Sequence, residues 1–460
     1  MPTRLKTPSI RRRYELPPTP PIPAVLQTLA CRWMPLAYFE FCRARYGERF
    51  TIYPVGKPPV VFLSNPQEVQ ETLNASPRVL HPGAGAATIA PIVGDTSFML
   101  CDEDEHMRRR KTITAAFTHA AVQAHTAAIE ALVQREIAQW PLDTPIPIHR
   151  YLRDLTLRVA LFVVFGECEP ALQDLHAHIL KMLDVTESFV VTEPKLRHLP
   201  GWRHTWRGFA TERARADAVM LDIIRSRRGR PGTHGCVLDM LLAARTPDGS
   251  PPPDRLIRND AMSVILAGHE TTAATLAWAF QLLAHNPRVR ERLIDELDNG
   301  TGDAYLTATV HEILRHRPVF LFAIPRAVVH PIEIGGRAYH PPAQLLACIH
   351  LVHHDPQLHH NPREFQPERF LQNPPAPHTW FPWGGGRKRC PGHRLATVEL
   401  RTILRATLAT RTVLPARSRI GRARWRAVIV APRAGLRVVL ASRGKHTRVR
   451  PLDLQTGRNP

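Results

Sequence analysis

A mainly α protein with small β-sheets is predicted by three features of the sequence. Helical periodicity runs through most of the chain, whereas strand-like runs are short and few. One stretch, Asp260 to Leu283, is apolar on almost every side, which marks a helix buried through a core. No internal repeat or low-complexity linker divides the 460 residues. Length alone suggests about three domains, but the residues singled out below must meet at one site. A single domain over 22–442 is therefore expected, after a flexible Pro- and Arg-rich segment (1–21) and before a flexible basic tail (443–460).

In chain order, Leu26–Tyr46 reads as a helix, and Thr51–Tyr53 and Pro59–Phe62 as short strands. The acidic run from Asp102 to Glu105 suits a helix start, where the macrodipole favours negative charge. Segments 226–235 and 251–253 mark loops, and the buried helix follows. Leu306, Val310, Ile313 and Leu314 form the apolar stripe of another helix. Ile332–Ile334 reads as a strand ending at Gly335-Gly336. Cys390 is followed by Pro391, in the position favoured just inside a helix start, with Leu395–Leu400 as that helix. Arg437–Leu440 is strand-like again.

Composition narrows the function classes. Hydrophobic residues make up 44%, enough for a large core. The seven cysteines are scattered without CxxC spacing, which suits a reducing compartment rather than a disulfide framework or a zinc ribbon. The longest apolar run, Val159 to Phe165, falls far short of a membrane span. The arginine cluster at 11–13 leads into prolines, not a signal core. A cytoplasmic location is expected. The net charge of +21 suits nucleic acid, an anionic membrane surface or an acidic protein. Its arginines are dispersed and no DNA-reading module is visible, so specific nucleic-acid binding is not expected. The pairs His353-His354 and His359-His360 lack supporting ligands and read as loop surface.

Four constellations carry chemistry. In Trp383-Gly384-Gly385-Gly386-Arg387-Lys388-Arg389-Cys390-Pro391-Gly392, glycines let backbone approach a flat ligand, and cations beside a helix N-terminus favour the thiolate. Such a thiolate serves as metal ligand or nucleophile. In the buried helix, Ala267-Gly268-His269-Glu270-Thr271-Thr272 combines a missing side chain with a hydroxyl on nearly the same side. Glu312 and Arg315 stand three apart and can pair; alone, this is a weak signal. His106 and Arg110, four apart in the basic run Arg108-Arg109-Arg110-Lys111, can face one ligand.

Together these resemble the cytochrome P450 family over nearly the whole chain. Trp383, Gly384, Gly386, Lys388, Cys390 and Gly392 match its haem-thiolate loop, with Trp383 where phenylalanine is usual and Lys388 where arginine or histidine is usual. Phe365-Gln366-Pro367-Glu368-Arg369-Phe370 matches its PERF segment. The resemblance implies the P450 fold, haem b, and Cys390 as the iron's axial ligand. It implies that His106, Arg110, Arg326 and Lys388 meet haem propionates. It assigns Thr271 to dioxygen and Glu270 to proton delivery, and Glu312, Arg315 and Arg369 to a structural triad. Ala267, Val319 and Ala323, with segments 84–99 and 188–199, would border a lipophilic substrate.

By the same resemblance the activity is that of a soluble, bacterial-type monooxygenase, monomeric and supplied by a separate ferredoxin and NAD(P)H-dependent ferredoxin reductase. No flavin or iron–sulfur module is visible in the chain. Arg108, Arg109, Lys111, Arg387 and Arg389 would dock an acidic ferredoxin. A haem-thiolate peroxygenase or isomerase without a redox partner, and a haem-binding sensor, remain as alternatives.

Overall fold

The computed structural model describes residues 16–166, 171–185, 189–230, 235–372, 376–433 and 436–443. Most of the expected basic tail and the first 15 residues lie outside them. The last part of the expected flexible lead-in is fixed: the Pro17 and Pro18 carbonyls accept hydrogen bonds from Thr51 at 2.7 and 2.8 Å.

A central helix, Asp254–His285, threads the core and is buried along most of its length. At about 1.5 Å per residue it spans roughly 48 Å. It packs against helix Ile148–Phe165, and around the pair gathers the main apolar cluster, which includes Phe165, Phe209 and Phe280. The region expected as one helix over 26–46 is two, Ala24–Trp33 and Pro35–Tyr46. Pro35 explains the break: it cannot continue a helix, yet it suits the first turn of the next.

Five strands form the largest sheet, in spatial order Arg49–Ile52, Val60–Leu63, Gln344–Ala347, Arg326–Val328 and Leu80–His81. Val60–Leu63 runs parallel to Gln344–Ala347 and the other pairs are antiparallel. This sheet sets Arg326 at the first position of its strand, opposite Leu345. Ile332–Ile334 pairs with Arg337–Tyr339 across Gly335 and Gly336, at φ +54° and +72°, which a two-residue turn of this hand requires. Val438–Ser442 pairs with Arg411–Pro415, and a separate hairpin joins Ala423–Arg426 to Ile429–Pro432.

His359 and His360 lie on a loop, with His360 exposed, but His353 of the first pair departs from the expected loop surface. His353 ends a short helix, Ile349–His353, is fully buried, and accepts a hydrogen bond from the Phe381 amide at 3.0 Å. Burial holds it neutral, far below the usual histidine range. The six described cysteines are free thiols; Cys168 lies outside the described residues.

Candidate active site

A cavity of about 320 Å³ lies between the central helix and the loop that carries Cys390. Ala267, Gly268, Thr271 and Thr272 line it from the helix; Trp383, Gly384, Lys388 and Cys390 line it from the loop. The expected pocket residues Val319 and Ala323 are there, as are Ile89, Ile92, Val93, Phe98 and Met99 from segment 84–99. Among the described residues none of 188–199 borders it; Leu183 reaches it instead.

The Cys390 loop is closed by its own backbone. The Cys390 amide donates to the Trp383 carbonyl at 2.9 Å and the Arg389 amide to Gly386 at 3.1 Å. Gly384 and Gly386 sit at φ +65° and +60°, where a side chain would be strained. Gly386 is not at the cavity. A Cβ there would lie 1.8 Å from the Leu73 carbonyl oxygen, so this glycine lets the loop pack on helix Pro66–Asn74, not on a ligand. The following helix is His393–Thr410 with Gly392 as its N-cap, so Pro391 stands just before the helix rather than inside it.

Cys390 is not an activated thiolate on the protein's charges alone. Burial pushes its thiol up, against the Gly392 amide, Arg110 and Arg389, which pull it down. A thiolate here calls for a further positive charge in the cavity.

The cations beside it show the converse need. Arg110, Arg326 and Lys388 all line the cavity, and among the described residues none of them makes an ion pair. Arg326 is buried, and its Nε has no hydrogen-bond partner. Burial pulls its guanidinium down to about 10, against the pull of Asp102. Burial likewise brings Lys388 down to about 8; its Nζ donates to the Met99 and Cys101 carbonyls at 3.2 and 2.8 Å. Arg110 donates to the Arg389 carbonyl at 2.5 Å. His106 lines the cavity too; burial first, then Lys388, Arg110 and Arg109, bring it down to about 3 on the protein's own charges. Buried Arg326 and the partly buried Arg110 and Lys388, beside a thiol and with no carboxylate in ion-pair contact, fit a ligand that carries a metal ion and two carboxylates. Haem is such a ligand.

A family model described as Cytochrome P450 matches residues 16–427. The chain belongs to the cytochrome P450 family. It is 33% identical over 397 residues to cytochrome P450 137 of Mycobacterium tuberculosis, covering 86% of this chain and 83% of that protein. It is 29% identical over 433 residues to cytochrome P450 135B1 of Mycobacterium bovis, covering 92% and 91%. The retinoic-acid-bound cyanobacterial CYP120A1 shares the fold at TM-score 0.81 and 21% identity, covering 93% of this chain and 99% of that one. A cytochrome P450DA haem domain does so at 0.79 and 22%, covering 95% and 100%. The protein is thus a haem b enzyme with P450 monooxygenase activity. No helix among its described residues is long and apolar enough to cross a membrane.

Within this P450 the central helix is continuous through the glycine–threonine stretch. Thr271 donates its hydroxyl to the Ala267 carbonyl at 2.6 Å, and Thr275 donates to Thr271 at 2.9 Å. A Cβ on Gly268 would meet only Ala160, at 3.9 Å, so close packing does not demand the glycine. Glu270 neither reaches solvent nor stands free. Arg153 Nε lies 2.7 Å from its Oε1 and Arg426 Nε 3.2 Å from its Oε2. Burial raises its carboxyl, but the two arginines outweigh burial and hold it down at about 2. Neither arginine was visible in the sequence as a site residue.

The triad is assembled and buried. Arg315 Nε and Nη2 donate to Glu312 at 2.7 and 2.8 Å, and Arg369 Nε lies 3.0 Å from Glu312 Oε2, off line for a hydrogen bond. Arg315 also ties the His353 and Pro362 carbonyls, at 2.7 and 2.8 Å. Arg109, expected at a docking surface, is buried instead. It binds Asp260, Cys101, Glu105 and the Thr96 carbonyl, joining its own helix, Glu103–Ala115, to the central one. A further acid escaped the sequence reading: Glu399 borders the cavity, its Oε2 is unpartnered, and burial pushes it up to about 8.

Proposed function

We propose that the protein inserts one oxygen atom from O2 into a lipophilic small molecule, with electrons from a separate ferredoxin and its reductase. The observation that carries this is one cavity bordered by Cys390, by Thr271 and by an apolar wall from Ile89 to Met99. Cys390 would bind the haem iron through its thiolate, and Arg110, Arg326, Lys388 and His106 would meet the propionates. Haem with a thiolate ligand supplies, when bound, electron density that favours O–O heterolysis.

The chain's own residues do the rest. Thr271 can turn its hydroxyl from the Ala267 carbonyl toward an acceptor in the cavity, carrying a proton at Oγ1. Glu270, ionised and clamped between Arg153 and Arg426, orders the polar end of the cavity. Ala267, Val319 and Ala323 exclude water around the substrate.

Arg108, Lys111, Arg387 and Arg389 are exposed, and with Arg109 withdrawn they form the docking patch for an acidic ferredoxin. NADPH-driven oxidation of a hydrophobic substrate with ferredoxin and reductase tests this reading, with turnover falling as salt rises. Equal turnover with peroxide alone, and none with the redox pair, would favour a peroxygenase.

A further inference from the structure

The side that helix Ile148–Phe165 turns to the central helix changes character along its length. Positions 149, 153, 156, 160 and 163 recur at helical spacing and share that side. At the inner end, Ala160 and Val163 border the cavity, and a Cβ on Gly268 would lie 3.9 Å from that of Ala160. The outer end is polar. There His149, Arg153 and Thr156 stand against His269 and Glu270 of the central helix.

Protein groups alone do not satisfy this polar end. His149 Nε2, Arg153 Nη2 and His269 Nε2 are all buried and without a hydrogen-bond partner. They surround one carboxylate. Arg153 Nε lies 2.7 Å from Glu270 Oε1, and His269 Nε2 lies 3.5 Å from the same oxygen without a hydrogen bond between them. His149 is near enough to feel the same groups: burial brings it down to about 4, Glu270 opposes this, and Arg426 and Arg153 add to it.

Thr156 decides what kind of partner is called for. Its Oγ1 donates to the His269 carbonyl at 3.2 Å and accepts the Nδ1 proton of His269 at 3.0 Å. His269 is fully buried, and burial brings it down to about 3, so the ring is neutral. Its Nε2 is then an acceptor, set against a carboxylate oxygen that is also an acceptor. One water molecule can donate to both and accept from Arg153 Nη2, which gives it the usual number of partners, about three. A second, hydrogen-bonded to the first, reaches His149 Nε2.

The cluster connects outside to inside. His149 is partly exposed although its Nε2 is buried, and Arg153 Nη1 reaches exposed Asp184 at 2.6 Å. Inward, Glu270 borders the cavity beside Thr271.

We propose that ordered water bridges His149 Nε2, Arg153 Nη2, His269 Nε2 and Glu270, and that protons enter the cavity along this water. The inference rests on the monooxygenase reading above. One oxygen atom enters the substrate and the other leaves as water, so each turnover takes two electrons from the redox partner and two protons from solvent. Protons pass from water to water toward Thr271, while Glu270 stays ionised and holds the chain in place. His149 is a positioning residue that anchors its outer end.

Crystallography of the haem-loaded protein at high resolution tests the site. A water within about 3.2 Å of both His269 Nε2 and Glu270 Oε1 is expected; direct protein contacts in its place would overturn the proposal. Kinetics test the route. His149→Phe should lower product formed per NADPH about tenfold, by displacing the water chain, and should raise the solvent deuterium isotope effect on turnover. His149→Gln, which restores a polar atom at the outer end, should recover most of both. Turnover driven by hydrogen peroxide, which brings its own protons, should be alike in the wild type and the two variants. Equal loss of peroxide-driven turnover in His149→Phe would reduce His149 to a structural part and overturn the route. So would unchanged coupling, and a loss of coupling in Glu399→Gln instead would assign the protons to Glu399. A wild type that turns over with peroxide alone would sink the monooxygenase reading, and the water contacts would still decide the site.

Discussion

The Nε of Arg153 lies 2.7 Å from Oε1 of Glu270, across 117 residues of sequence, and makes a carboxylate of the residue expected to deliver protons. With Arg426 on its other oxygen, Glu270 sits near 2 instead of the usual 4.5. The group's folded value is depressed, so its stabilisation is present above about 4.5 and is lost as pH falls toward 2. Between pH 5 and 8 it does not titrate. Coupling of NADPH use to product, measured over that range, should show no inflection that Glu270→Gln removes. Arg153→Ala should cost about 3 kcal/mol in denaturant unfolding, because it leaves a buried charge half paired.

Glu312 is fully buried between Arg315 and Arg369. Arg369→Ala or Glu312→Gln should each destabilise the protein by about 3–5 kcal/mol, since the uncompensated partner stays buried. Denaturant unfolding followed by circular dichroism measures this. A change below 1 kcal/mol would mean the triad is screened as a surface pair is.

Thr271 spends its hydroxyl on the Ala267 carbonyl and must turn it to serve the cavity. Thr271→Ala should therefore lower product formed per NADPH while leaving substrate affinity close to the wild type; Thr271→Ser should restore most of the coupling. Oxygen consumption measured against product reads the ratio directly.

Arg326 is buried with Nε unpartnered, a donor waiting for an anion. Arg326→Met should speed haem transfer to apomyoglobin roughly ten- to a hundredfold, the equivalent of about 1.5–3 kcal/mol for a charged hydrogen bond. Arg326→Lys should recover part of the difference.

What could be read in advance follows from how each feature is encoded. The Cys390 loop, the Glu312–Arg315 spacing and the buried helix are local patterns, and a single strand of sequence displays them. Arg153 and Arg426 carry no motif and reach Glu270 from 117 and 156 residues away, so nothing local announced them. Arg109 shows a second limit: a run of four cations does not say which member turns inward, and here the Asp260 carboxylate selects it. Gly386 shows a third. Its need for φ +60° was readable, but the neighbour that forbids a side chain, Leu73, belongs to a helix more than three hundred residues earlier. The helix break at Pro35 was legible in principle, because proline at a helix start is a local signal.

The proposed haem is held by Arg110, Arg326 and Lys388, with the Cys390 thiolate as its iron ligand. The absorption spectrum of the reduced protein under carbon monoxide tests it most directly. The wild type should show the red-shifted Soret band of a thiolate-ligated haem, and Cys390→Ser should lose that band while keeping the folded circular dichroism. A wild-type protein without the band, or a Cys390→Ser variant that retains it, would contradict the assignment.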